Sequence, residues 1–188
     1  EALKAGKNVF VEKPLAITIE ELEEIESLYS SILRGSSGPI LLVGFNRRFS
    51  PLTQRVKSLL DGVREPKSFV MTVNAGTIPP DHWTQDRSIG GGRIIGEACH
   101  FIDLLRFLAG ESITDFHSVY LGEDPLKDKA IMTLTFADGS IGAIHYLANG
   151  HRSFPKERLE VFCGGRVLDL DNFRAMRGYG WPRVRKVK

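Results

Sequence analysis

The sequence predicts an α/β layer built on a parallel βαβ unit, followed by an α+β domain with a large, mostly antiparallel open sheet. One observation predicts the first layer: short apolar runs at residues 8–11 and 40–45 flank a single amphipathic helical pattern. Another predicts the second domain. After residue 67 most apolar runs are strand-like, and the turn dipeptides Asp138-Gly139 and Gly164-Gly165 separate two pairs of them.

The α/β layer begins with a helical end over residues 1–7, stopped by Gly6, and continues into a buried strand at 8–11. Thr18 and Glu21 form a capping box, and a helix with apolar residues at positions 22, 25, 28, 29 and 32 follows. Residues 35–39 end that helix as a loop, and residues 40–45 form the second buried strand. Strand, helix and strand in this order imply parallel pairing with a right-handed crossover. The next helix opens at Ser50-Pro51 and runs to about Leu60.

The second region contains six predicted strands, at residues 69–73, 118–121, 130–136, 141–147, 159–162 and 167–170. One helix interrupts them, from about Arg93 to Leu108, and Gly110 is its predicted stop. We therefore divide the chain into the α/β layer (1–62), the α+β domain (63–173) and a basic tail (174–188). The tail holds six lysine or arginine residues and no acidic residue, so we expect a solvated, partly disordered end.

The composition indicates a folded, soluble protein. The 188 residues are 42% hydrophobic and 26% charged, which excludes a disordered or collagen-like chain. No apolar run approaches the ~20 residues of a membrane span, and the first residues lack a signal-peptide pattern. Cys99 and Cys163 have no disulfide or zinc spacing, so we expect reduced thiols, no metal and a cytoplasmic location. The net charge of +2 argues against nucleic acid as a partner, the basic tail being the one route to it.

Two polar segments follow the predicted parallel strands. Lys13 comes just after the first strand, and Asn46-Arg47-Arg48 comes just after the second. Ligands of open α/β sheets bind beyond the carboxyl ends of the strands, so both segments are candidate site residues. For Lys13, a surface lysine paired with Glu12 is an equally good interpretation.

The loop at residues 74–83 holds two more candidates, His82 and Trp83. Its two prolines, its aromatic residue and its histidine suit a rigid pocket wall. An alternative fits the composition equally well, with Trp83 as a core anchor and His82 solvated.

Three glycines at residues 90–92 precede a helix that carries His100. Glycines let the backbone approach a ligand closely. Gly96, His100 and Asp103 share one face of this helix, and Glu97 lies three residues before His100. A histidine can act as a general acid or base near neutrality, whereas a lone helical histidine is more often structural. The glycines before it favour a site.

Three motifs occur here in one order and spacing: Val11 to Ala16 (VEKPLA), Val43 to Phe49 (VGFNRRF), and the three glycines with His100 and Asp103. Together they resemble the Gfo/Idh/MocA family of NAD(P)-dependent oxidoreductases, over nearly all of residues 1–170. Residues 74–83, residues 90–103 and Asp171-Asn172-Phe173 are most similar to a bacterial bi-domain branch. The resemblance implies an α/β partial Rossmann domain, then a substrate and oligomerisation domain whose open sheet associates with other copies.

The resemblance also implies a role for each candidate residue. Lys13 would contact the reacting hydroxyl and the nicotinamide ribose, and His100 would accept the proton when an alcohol is oxidised. The Lys13-Pro14 bond is commonly cis in relatives. The implied cofactor is NAD or NADP, with contacts from Glu12, Lys13, Pro14, Asn46 and Arg48. The implied substrate contacts are Lys13, His82, Trp83, Glu97, His100 and Asp103.

Two departures separate the chain from the family pattern. Many relatives carry an aspartate four residues before the histidine, where this chain has Gly96. Glu97 is the neighbouring candidate to replace it, although it leaves the helix about 100° away. The chain also has no G-x-G-x-x-G fingerprint, which in the family lies upstream of the lysine motif. The resemblance thus implies a fragment that lacks the first half of the Rossmann domain and the family's C-terminal helices.

We therefore expect the full-length protein to be an NAD(P)-dependent dehydrogenase or reductase, with the fragment alone inactive. Hydride would pass between nicotinamide and a hydroxyl or carbonyl of a sugar, a sugar nucleotide or a cyclitol. The alternative is a non-catalytic ligand-binding or oligomerisation domain of the same fold. NAD and NADP both stay open, because the residue that reads the ribose lies upstream in the family.

Overall fold

The smaller of two sheets consists of two parallel strands, β1 (Val9–Val11) and β2 (Leu41–Val43). The computed structural model describes residues 1–33, 38–123, 126–182, 184 and 186–187. Helix α1 (Ile19–Leu33) lies between the two strands in the chain, so the parallel βαβ prediction is confirmed. The predicted loop at 35–39 falls mostly outside the described residues.

The capping box of α1 is present in both directions. The amide of Glu21 donates to Thr18 Oγ1 over 3.2 Å, and the amide of Thr18 donates to Glu21 Oε2 over 3.3 Å. Of the helical end predicted for residues 1–7, one turn is present, with a hydrogen bond from the amide of Ala5 to the carbonyl oxygen of Glu1 over 3.0 Å, and Gly6 ends it with φ of +69°, as predicted. Seven residues are too short to form a longer helix, although the side chain of Leu3 is buried.

A 3₁₀ turn (Asn46–Phe49) and helix α2 (Pro51–Leu60) connect the small sheet to the rest of the chain. The buried side chains of α2 include Val56 and Leu60, which belong to the core under the large sheet. The chain division at residue 62 stays a prediction.

Within the described residues, the large sheet has eight strands in the order β10-β9-β8-β7-β3-β6-β5-β4. Only β3 and β6 pair in parallel among its described strands, so the mostly antiparallel prediction is confirmed. The strands are β3 (Ser68–Asn74), β4 (Ile113–Tyr120), β5 (Ala130–Phe136), β6 (Ile141–Leu147), β7 (Glu157–Cys163), β8 (Arg166–Asp171), β9 (Ala175–Tyr179) and β10 (Lys186–Val187). Both predicted glycine turns join antiparallel neighbours, β5 to β6 and β7 to β8.

The solvated end expected at residues 174–188 is wrong. Residues 175–179 form β9, which pairs with β8 and buries Met176 completely. Trp181 and Val184 are also buried in the core. Met176 reaches the core between the exposed Arg174 and Arg177, and the run of charges in the sequence did not indicate this.

Helix α3 (Cys99–Ala109) packs on the inner face of the sheet and forms the core together with α2. The helix predicted from about Arg93 to Leu108 is present, and residues Ile94–Ala98 form a wider π-helical turn within it. Gly110 ends α3 with φ of +78°, as predicted. No helix in the described part of the chain is long and apolar enough to cross a membrane.

Candidate functional site

Lys13 lies at the carboxyl end of β1, where its peptide bond to Pro14 is cis. The half-buried side chain donates a hydrogen bond from Nζ to the carbonyl oxygen of Gly96 over 2.5 Å. Among the described residues no ion pair joins Lys13 to the exposed Glu12. The interpretation of Lys13 as a surface lysine paired with its neighbour is therefore wrong.

His100 lies in the first turn of α3 and is only 6% exposed. Phe45, which follows β2, meets the imidazole edge-on with 6.1 Å between ring centroids. The buried Nδ1 has no hydrogen-bond partner among the described residues. The candidate site thus combines the Lys13 ammonium, after β1, with the His100 imidazole, which contacts Phe45 after β2.

The imidazole is held neutral by its surroundings. Burial lowers the pKa of His100 to about 4, and the positive charges of Arg47 and Lys13 add to the effect. At neutral pH the ring therefore has a free lone pair and can accept a proton.

Arg48 and Asp103 form a bidentate ion pair between the 3₁₀ turn and α3. Arg48 Nε donates to Asp103 Oδ2 over 2.9 Å, and Nη2 donates to Oδ1. The sequence assigned these two side chains to different ligands, whereas the structure pairs them with each other. Asn46 is exposed and accepts a 3.3 Å hydrogen bond from Arg47.

Glu97 takes part in a cluster with Arg93 and Tyr146. Its Oε2 accepts from the Tyr146 hydroxyl and, over 2.9 Å, from Arg93 Nη2. Burial raises the pKa of Glu97, but these two donors outweigh it and hold the pKa below its usual range. No hydrogen bond links Glu97 to His100 in the described part of the chain. That Glu97 replaces the family's aspartate beside the histidine stays a prediction. In the structure its carboxylate binds Arg93 and Tyr146.

The glycines before His100 bring backbone segments into close contact. A Cβ on Gly96 would lie 3.0 Å from the carbonyl oxygen of Gly90, and one on Gly90 would lie 2.7 Å from Thr84 Cα. A carboxylate at position 96 would therefore require this turn to shift.

His82 and Trp83 lie in an exposed turn. Trp83 is 61% exposed, so the alternative that made it a core anchor is wrong. His82 Nδ1 accepts a 3.3 Å hydrogen bond from the amide of Thr84. No contact between this turn and Lys13 or His100 is recorded among the described residues, and the substrate role of the turn stays a prediction.

Sequence reasoning missed Arg93 and Tyr146, which both bind Glu97, and it did not predict the partner of Arg47. Arg47 stands inside the motif already noted, and its ion pair with Glu157 spans 110 positions in sequence. Arg93 directly follows the three glycines, and this position could have identified it as a candidate site residue. Tyr146 occupies an ordinary inward position of β6 and carried no signal.

Known proteins are similar to this chain over most of its length. The family model described as the GFO/IDH/MocA C-terminal domain matches residues 55–166. A myo-inositol 2-dehydrogenase of Thermotoga maritima is 27% identical over 179 residues, covering 91% of this chain and 51% of the relative. An uncharacterized oxidoreductase of Bacillus subtilis, YrbE, is 26% identical over 184 residues, covering 93% of this chain and 51% of the relative.

Solved structures share the fold. A levoglucosan dehydrogenase in complex with NADH and levoglucosan superposes with a TM-score of 0.80 at 21% identity, covering 99% of this chain and 55% of that one. The chain spans about half the length of the curated relatives that it matches.

Proposed function

This chain belongs to the GFO/IDH/MocA family, and on that premise we propose that the whole protein is an NAD(P)-dependent oxidoreductase. It transfers hydride between nicotinamide and a hydroxyl or carbonyl of a sugar, a sugar nucleotide or a cyclitol. The names of the relatives support this class, since they include an inositol dehydrogenase and a levoglucosan dehydrogenase.

One observation carries the proposal: the Lys13 ammonium and the His100 imidazole converge on a single helical turn. Lys13 Nζ lies 2.5 Å from the oxygen of Gly96, four residues before His100. In the proposed reaction His100 takes the hydroxyl proton of the alcohol at an imidazole nitrogen. Lys13 donates a hydrogen bond to the same oxygen and stabilises the negative charge that develops on it.

The residues present fit the nicotinamide half of the cofactor. Lys13 and Pro14 are half-buried at the carboxyl end of β1, where α/β sheets bind ligands. The ammonium already donates to a carbonyl oxygen, so it can donate equally to a ribose or substrate hydroxyl. When bound, the nicotinamide supplies the hydride acceptor. We propose that Lys13, with Glu12, Pro14, Asn46 and Arg48, lies on the cofactor side.

Two variants of the full-length protein test this mechanism, Lys13→Met and His100→Gln. We expect each to lower kcat for hydride transfer by about 10²-fold or more, because each removes charge or proton transfer from the transition state. The exposed Lys7→Met is the matched control and should keep its activity. Full turnover in the Lys13 variant would refute the mechanism.

A fluorescence titration with NADH and NADPH tests the cofactor. We expect the full-length protein to bind one of them and this chain alone to bind weakly, because the sequence has no phosphate-binding glycine fingerprint. Failure of the full-length protein to bind either would exclude a nicotinamide oxidoreductase.

We also propose that the open face of the large sheet associates with other copies. This face exposes apolar side chains on four strands, Val119, Ile131, Ile141 and Phe162. Exposed apolar side chains grouped on one sheet face are a feature of protein–protein interfaces. Light scattering should show an oligomer that Ile131→Glu dissociates, and a monomeric wild-type protein would contradict the proposal.

The alternative is an assembly or binding domain without chemistry, favoured by the same apolar face. The Lys13→Met variant distinguishes the two functions by its turnover and its oligomeric state. An assembly domain keeps its oligomeric state and has no turnover to lose, whereas the enzyme keeps the oligomer and loses turnover.

A reducing, cytoplasmic location stays part of the proposal. Both cysteines are free thiols, and burial raises the pKa of each. Such thiols are mostly protonated and unreactive at neutral pH. Labelling of the protein in intact and fractionated cells tests the location.

A further inference from the structure

A cavity of about 500 Å³ opens between the loop of residues 152–157 and the turn after β8. Arg152, Lys156 and Arg174 are exposed on its rim, and Glu157 and Asn172 also line it. This volume lies within the range that binds small molecules in proteins.

The charges of the cavity are unbalanced. No ion pair to any of its three cations is recorded in the described part of the chain. The one carboxylate of the lining, Glu157, is 8% exposed and accepts a 2.6 Å hydrogen bond from Arg47. Since Arg47 neutralises that carboxylate, the three cations face the cavity without a counter-charge.

Hydrogen bonds of Asn74 and Asn172 fix the two walls of the cavity. The buried side chain of Asn74 donates from Nδ2 to the carbonyl oxygens of His151 over 2.8 Å and of Phe154 over 3.3 Å. On the other side, Asn172 Oδ1 accepts from the amide of Glu157 over 2.9 Å, and the Asn172 amide donates back to the Glu157 carbonyl over 2.7 Å. The two walls are therefore fixed to the ends of β3 and β7.

Arg47 connects this cavity to the candidate active site. Its guanidinium pairs with Glu157 at the cavity and lies 5.1 Å from the centroid of the Phe101 ring, the residue after His100. The positive charges of Arg47 and of Lys156, on the cavity rim, both lower the pKa of His100, so the cavity lies within electrostatic range of the imidazole.

We propose that this cavity is an anion subsite that binds the carboxylate or phosphate of an acidic sugar or cyclitol substrate. The inference rests on the proposed function and narrows its substrate class. Arginine and lysine in a shared cavity bind carboxylate and phosphate through charge-assisted hydrogen bonds, which are about twice as strong as neutral ones. A neutral sugar would leave the three cations without a partner.

Calorimetric titration of the full-length protein with three probes tests the subsite. Glucose, glucuronate and glucose 6-phosphate differ in the charge at one end and share the sugar ring. We expect at least one anionic probe to bind about tenfold or more tightly than glucose, a factor in keeping with one charge-assisted bond. The tighter of the two anions identifies carboxylate or phosphate as the ligand.

Charge-removing variants assign the preference to this cavity. Lys156→Gln and Arg174→Gln should each lose most of the preference for the anion, whereas binding of glucose stays as it was. Arg55→Gln removes an exposed arginine on α2, outside the cavity lining, and should keep the preference. All three positions are exposed, so circular dichroism should show an unchanged fold.

Equal binding of the three sugars, or an equal loss in the Arg55 control, would overturn the subsite. The outcome is separable from the proposed function. Anion binding at the cavity without hydride transfer to any substrate refutes the oxidoreductase alone. Hydride transfer with no preference for an anionic substrate refutes the subsite alone.

Discussion

The buried imidazole of His100 should make the fold sensitive to mild acid. Its pKa is about 4 in the folded protein, against an ordinary value of 6.5 that applies once the chain unfolds. Above pH 6.5 both states hold a neutral ring, and the full contribution to stability is present. As the pH falls toward 4, His100 binds a proton in the unfolded state but stays mostly neutral in the folded state. The free energy of unfolding therefore decreases. One pKa unit corresponds to about 1.4 kcal/mol, so the loss reaches at most about 3 kcal/mol near pH 4.

The perturbation that isolates this effect is His100→Gln. Urea unfolding of both proteins between pH 7 and about pH 4 gives the free energy of unfolding at each pH. We expect the wild type to lose about 3 kcal/mol more than the variant over this range, whatever their difference at pH 7. His82→Gln, an exposed histidine, controls for the removal of an imidazole. Parallel pH curves for wild type and His100→Gln would refute the reasoning.

Two further predictions concern the supports of the site. Tyr146→Phe removes the hydroxyl that donates to Glu97, so the pKa of Glu97 should rise and stability should fall by about 1–2 kcal/mol; carboxyl NMR titration and urea unfolding measure the two effects. An unchanged Glu97 titration would contradict the hydrogen bond. Gly150→Ala places a methyl group against Asn74 Oδ1 and should cost about 1–3 kcal/mol of stability, measured by urea unfolding. Gly62→Ala has room for its methyl group and should lower stability by less than about 1 kcal/mol. An equal loss of stability at the two glycines would refute the packing argument.

Local signals in the sequence were sufficient for much of the fold. The Thr18–Glu21 capping box, the Gly110 stop and the two glycine turns each depend on residues a few positions apart, and all four are present. The order of strand, helix and strand then determined parallel pairing, because a short crossover helix permits little else. These features follow from backbone geometry that neighbouring residues control.

The differences from the predicted structure lie in segments in which packing outweighs the local sequence pattern. Residues 175–179 looked like a solvated basic end, yet β8 offered a free edge and the core accepted Met176. The turn at Ile94–Ala98 widened to a π-helix where Gly96 and Gly90 approach each other. A strand partner and a close backbone approach are both properties of the folded chain.

By itself, the sequence identified the family resemblance and proposed Lys13 and His100, because their motifs are short and contiguous. Only the tertiary structure decided how the charged side chains pair. Arg48 holds Asp103 across 55 positions, Arg47 holds Glu157 across 110, and Lys13 reaches Gly96 across 83. The physical reason is that a charge pairs with whatever group lies within a few ångströms in the fold, and separation along the chain carries no record of that distance. The neutral state of His100 has the same origin, since burial and neighbouring cations exist only once the two sheets and α3 have come together.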